Sequence, residues 1–141
     1  MNIVEFNKEK HYATMERLWQ ECQWKPCPIE ALPGIGLVAE TNDNKFIAYI
    51  GMYAEPGKIG FIDWALTDKT HGIICGKALC KLVDNLIERA KTFKCHFIYS
   101  ATKTEAWKKI LISRGLTVAE QGADTFVMSL NNQDTSFIGD Y

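Results

Sequence analysis

At 141 residues the chain is long enough to bury a core in one domain and too short for several. Its 47% hydrophobic and 23% charged residues, with a net charge of −1, are those of a soluble globular protein, and they give no global basis for binding nucleic acid or a membrane surface. Five cysteines without a CxxC pair form neither a zinc site nor a disulfide framework, and His11, His71 and His96 are scattered, so the composition excludes a metal centre of familiar spacing.

Asn2 to Asn7 reads as a short strand, and Tyr12, Met15, Leu18, Trp19 and Cys22 then recur at helical spacing. Pro26, Pro28 and Pro33 forbid a long helix, which makes Trp24 to Gly34 a loop or broken turn. A strand begins at Ile35 and runs to Glu40, turns at Asn42-Asp43-Asn44, and returns as Phe46 to Tyr53. A second turn at Glu55-Pro56-Gly57-Lys58 leads into Ile59 to Leu66, completing an antiparallel meander. Within that last strand, period-two alternation sets Asp63 on one face and Ile62 and Trp64 on the other.

The long helix that follows is the clearest element of the chain. Leu79, Leu82, Val83, Leu86, Ile87, Ala90 and Phe93 share one face, with Lys81, Asp84, Glu88 and Lys91 elsewhere. Cys95 to Ala101 reads as a buried strand, Thr104 to Ser113 as a helix ended by Gly115, and Leu116 to Leu130 as a strand pair turning near Gln121 to Asp124. The expectation is one α/β (α+β) domain over residues 1–130 and a polar tail over 131–141. It has a mixed, mostly antiparallel sheet of about six to seven strands in the order βαβββαβαββ. The start of the chain lacks a cationic, apolar leader and no run of about 18 apolar residues occurs, so a cytoplasmic protein is expected.

From Ile62 to Leu116 the order strand, glycine-bearing turn, long helix, strand, short helix resembles the core of the GNAT superfamily of N-acetyltransferases. Trp64-Ala65-Leu66-Thr67-Asp68 matches the end of that family's fourth strand, with Asp68 in place of a proline. His71-Gly72-Ile73-Ile74-Cys75-Gly76-Lys77 matches the turn that holds a pyrophosphate on helix N–H groups. Two registers remain open. One sets His71 at the polar opener and Ile74 and Gly76 at the small positions; the other sets Ile73 first, with Gly76 and Ala78 as the small pair. Thr104 stands at the family's Asn, and Leu111 at its Tyr, the usual acid for the leaving thiolate.

The resemblance implies acetyl-CoA as cofactor and a small-molecule or protein amine as acceptor. The implied cofactor residues are Trp64, Leu66, His71, Gly72, Ile73, Ile74, Cys75, Gly76, Lys77 and Thr104. Asp63 is the candidate general base, with Glu55, Tyr49, Tyr53 and Tyr99 behind it; the competing reading of Asp63 is a strand-edge carboxylate paired with a lysine. Small proteins of similar pattern are encoded by tailed bacteriophages, which implies a host cytoplasm or virion as the place of action. The alternative function is then a non-catalytic binding or assembly module, with Phe137, Ile138 and Tyr141 of the tail contacting a protein partner or a second copy.

Overall fold

In the computed structural model, which describes residues 1–122 and Met128, β1 (Asn2–Glu5) passes into α1 (Lys8–Glu21) through Asn7. The Asn7 side chain caps the helix by accepting the N–H of Lys10 at 2.9 Å. After a loop with one 3-10 turn at Ile29–Ala31, the chain forms β2 (Ile35–Glu40), β3 (Phe46–Glu55) and β4 (Ile59–Thr67). A 3-10 turn at Lys69–His71 leads into α2 (Ile74–Thr92), followed by β5 (Phe97–Ser100) and α3 (Glu105–Ser113). The α/β class and the element order through the last helix are as expected.

Among the described residues the sheet has five strands in sequence order, β1-β2-β3-β4-β5. Every neighbouring pair is antiparallel except β4 and β5, which are parallel. The helix α2 makes that parallel pair feasible, because a parallel connection needs a crossover long enough to return along the sheet. None of the described helices is long and apolar enough to cross a membrane.

The helices divide the core between the two sheet faces. Ala78, Leu82, Val83, Leu86 and Ala90 of α2 bury against Leu37, Ala39, Ile47, Ile50, Met52 and Ile62. On the other face Met15, Leu18 and Trp19 of α1 pack with Val38, Phe46, Tyr49, Trp64 and Leu66. Expectation and structure part at α1, where His11 is buried and Cys22 is an exposed cap residue.

β5 is shorter than the expected Cys95 to Ala101 and is not buried: Phe97 is 63% and Tyr99 48% exposed. It pairs with β4 along one edge only among the described residues. Residues 116–122 form no strand; the rest of the strand pair expected over Leu116 to Leu130, and the whole tail contact expected of Phe137, Ile138 and Tyr141, fall outside the described residues apart from Met128.

Candidate active site

β4 and β5 pair from Ile59 opposite Phe97 to Ile62 opposite Ser100, and the Ser100 hydroxyl donates to the Ile62 carbonyl at 2.9 Å. Beyond that link β4 continues to Thr67 while β5 stops at Ser100. From Asp63 onward the outer edge of β4 therefore has no strand partner among the described residues. The β4–α2 and β5–α3 connections both leave the carboxyl ends of this parallel pair, the place where open α/β sheets form their ligand crevices.

At this same point β4 carries a bulge. Asp63 is opposite Gly51 and Leu66 opposite Tyr49, so Trp64 and Ala65 together face the single residue Ile50. Trp64 absorbs the extra residue with φ at +63°, a left-handed conformation that costs a non-glycine residue about 1–3 kcal/mol. The bulge overturns the expected alternation: Trp64 does not oppose Asp63 but joins it on the α1 face, with Ala65 turned to the α2 core.

The Asp63 carboxylate Oδ1 accepts the N–H of Trp64 at 2.7 Å. Burial pushes its carboxyl above the usual range, and the Trp64 N–H opposes that push. The expected lysine partner is not found among the described residues; the groups facing Asp63 are Cys27, Tyr49 and Tyr53. Burial raises all of these, Cys27 to about 12, so they stay neutral near pH 7 and Asp63 is the titrating member of the set.

An aromatic wall lies beside this carboxyl. Trp64 Nε1 donates to the Tyr53 hydroxyl at 2.9 Å, and Tyr53 donates onward to the Ala31 carbonyl at 2.6 Å. Tyr12 donates to the Cys27 carbonyl at 2.6 Å, and Trp19 meets Trp64 edge-on at 6.1 Å. The proline-rich loop is thus pinned by tyrosine hydroxyls beside Asp63. The side chains of Trp64 and Leu66 are committed to this cluster.

The turn after β4 is shaped by Asp68, whose Oδ1 accepts the Thr70 N–H at 3.0 Å and hydroxyl at 2.6 Å. Gly72 then takes φ +60° and ψ −130°, a conformation open to glycine almost alone. Cys75 N–H donates to the Gly72 carbonyl at 3.1 Å, whereas the N–H groups of Ile73, Ile74 and Gly76 have no acceptor among the described residues. Ile73 is 86% and Ile74 44% exposed, so neither side chain fills the space over the helix start. A Cβ at Gly72 or Gly76 would meet nothing within 4 Å, while Ala78 is fully buried against the sheet.

The remaining expected residues lie around this rim. His71 is half-buried and Lys77 exposed at the turn, and Thr104 is the exposed residue before α3. Leu111 is buried in the α2-side core, so no hydroxyl stands at that position. Tyr99 and Glu55 are exposed away from the Asp63 cluster.

One polar constellation has no counterpart in the sequence reading. Glu40, 1% exposed, receives Lys10 Nζ at 2.9 Å and His11 Nε2 at 3.3 Å. His11 Nδ1 accepts the Asn7 N–H at 2.9 Å, which fixes the proton on Nε2 and makes it the donor to Glu40. With Arg17, Lys45, Asp68 and His71 these groups line a polar surface pocket of about 490 Å³. A separation of 29 residues between His11 and Glu40 leaves no local pattern by which to find the pair.

No protein-family model and no curated protein sequence matches the chain. Solved structures do resemble it. A Trypanosoma brucei acetyltransferase is 14% identical with a TM-score of 0.67, over 89% of this chain and 99% of that one. Glucosamine-6-phosphate N-acetyltransferase from Arabidopsis thaliana is 14% identical with a TM-score of 0.61, over 89% and 97%. An aminoglycoside antibiotic 6′-N-acetyltransferase from Acinetobacter haemolyticus is 16% identical with a TM-score of 0.59, over 93% and 100%. Likeness at such low identity speaks to architecture, and the architecture of this chain is the GNAT acetyltransferase fold.

Proposed function

We propose that the chain is an acetyl-CoA-dependent N-acetyltransferase whose acceptor is a primary amine of a small molecule or a protein side chain. The observation that carries the reading is the bulged end of β4, where a strand leaves its parallel neighbour and sets a half-buried carboxyl beside a strand edge without a strand partner among the described residues. The kinship of fold with acetyltransferases supports the same class.

The residues present fit the cofactor. The unpaired N–H groups of Ile73, Ile74 and Gly76 suit a diphosphate, with space left by Gly72 and Gly76 and the positive end of the α2 dipole behind them. His71, Cys75 and Lys77 belong to the same turn, and Thr104 guards the facing connection. The open position at Gly76 and the packed Ala78 favour the register that begins at Ile73. Coenzyme A supplies an activated acyl carbon and a thiolate leaving group.

The chain's own part is to orient and to move one proton. Backbone groups of Trp64 and Leu66 line the edge along which the thioester arm lies, and strand N–H groups there polarise the acyl carbonyl. Asp63 accepts the proton that the amine loses as the C–N bond forms and the C–S bond breaks. Leu111 has no proton to give, so a leaving thiolate would be protonated from solvent, at a cost in rate and not in feasibility.

Calorimetric titration with acetyl-CoA tests the reading, with Gly76→Trp as the site control. A Trp there extends into open space and should leave folding intact while closing the diphosphate cradle. Micromolar binding lost in the variant is the expected outcome. Silence at millimolar ligand would refute the enzyme reading and return the chain to the binding-module alternative.

A further inference from the structure

We propose that Asp63 gates the reaction: its carboxylate occupies the bulge N–H of Trp64 until an acyl carbonyl takes that N–H, so that acyl binding is the event that releases the carboxylate toward the amine. This inference rests on the acetyltransferase reading of the same site.

Three observations converge on it. The contact from Asp63 Oδ1 to the Trp64 N–H is 2.7 Å, a side chain closing on the next residue's backbone. That N–H belongs to the bulge, between the ladder pairs Asp63 with Gly51 and Leu66 with Tyr49. It is therefore held by a side chain that can rotate. It also lies just past the last β5 pairing, at Ile62 and Ser100, where β4 has no further strand partner on that side among the described residues.

The exchange has a direction. Asp63 faces Cys27 from the loop and Tyr49 and Tyr53 from β3; no charged group faces it among the described residues. The Trp64 N–H is the contact that lowers its proton affinity. A carbonyl that claims this donor thus leaves a carboxylate that is still buried, has lost its hydrogen bond, and holds a proton more tightly. The base strengthens when there is an acyl group to transfer, and stays quiet with free coenzyme A, which has no carbonyl at that point.

Two readouts test the gate without turnover. The first is the titration of the Asp63 carboxyl by carbon-13 NMR in the full chain, assigned with Asp63→Asn, for the free protein, with coenzyme A, and with an unreactive methyl-ketone analogue of acetyl-CoA. The expected result is an upward shift of the midpoint with the ketone and none with coenzyme A. The second is calorimetry on Asp63→Ala at pH 8, where removing the competitor should raise affinity for the ketone over coenzyme A by about three- to tenfold, the worth of one net hydrogen bond. Equal midpoints with both ligands, or an unchanged affinity ratio in the variant, would overturn the gate alone. Failure of coenzyme A itself to bind would overturn the acetyltransferase reading and the gate with it.

Discussion

The two faces of the sheet are built from different chemistry. Against α2 the buried residues are aliphatic, from Leu37 and Ile50 to Leu82 and Leu86, and among the described residues no buried polar side chain interrupts them. Against α1 the core is aromatic and carries hydroxyls, an indole, a thiol and the carboxyl of Asp63 at its margin, with the Lys10–His11–Glu40 set at one end. An aliphatic layer packs densely and specifies a rigid floor. The aromatic layer accepts polar groups because phenols and indoles bring hydrogen-bond partners with them, as Tyr53, Trp64 and Tyr12 do. One face is thus an aliphatic scaffold and the other gathers the polar groups.

The sharpest break between them should come from Leu82→Ala. A fully buried leucine exchanged for alanine costs about 2–5 kcal/mol, read by urea unfolding. If the faces are separable, the Asp63 titration should not move in that variant. A shifted carboxyl would mean that the floor and the site are one mechanical unit.

A smaller, pH-dependent effect belongs to the α1 face alone. Burial pushes the Glu40 carboxyl up, but hydrogen bonds from Lys10 and His11 outweigh it and leave it below the usual range. Its stabilisation is therefore complete above the unfolded value of about 4.3 and is lost as pH falls through the lower folded value. Glu40→Gln should flatten that acid limb in denaturation curves. Asp63 has the opposite sign: raised when folded, it favours the fold below its unfolded value of about 3.9 and loses that contribution as pH rises through the folded one. Asp63→Asn should accordingly gain stability at pH 7 while abolishing acetyl transfer; a loss of stability there would contradict the burial argument.

The smallest change is expected from Tyr49→Phe. The Tyr49 hydroxyl is buried without a hydrogen-bond partner among the described residues, so deleting it should be neutral or stabilising by up to about 1 kcal/mol in thermal unfolding. A clear destabilisation would reveal a partner, such as an ordered water, and would make the α1 face more polar still.

Legibility followed the range of the interactions involved. The buried face of α2 was readable because Leu82, Val83, Leu86 and Ala90 repeat with the helix, and the β2–β3 turn because Asn42, Asp43 and Asn44 are local turn formers. The bulge was not, since Trp64 is a large non-glycine residue at a positive φ and only its pairing with β3 reveals the extra residue. The alternation rule then misplaced Trp64. The exposure of Phe97 and Tyr99 was equally hidden, because an apolar strand reads the same at the middle or edge of a sheet. For the candidate site, the turn and Asp63 were named from the family resemblance, whereas the contact between Asp63 and the Trp64 N–H depends on a backbone conformation that no spacing encodes.

The bulge also makes β4 sensitive to length in a way its composition conceals. Upstream of it Ile62 addresses the α2 core, and downstream Leu66 addresses the α1 core, with the change of address made by a single added residue. Deleting the codon for Ala65 would remove one methyl-bearing residue, a trivial loss by volume. It would nonetheless close the bulge: Leu66 would stay opposite Tyr49, but Trp64 would stand alone opposite Ile50 and turn from the α1 face to the α2 core. In this strand the frame is kept by counting, and a miscount of one would erase a bulge that most substitutions would spare.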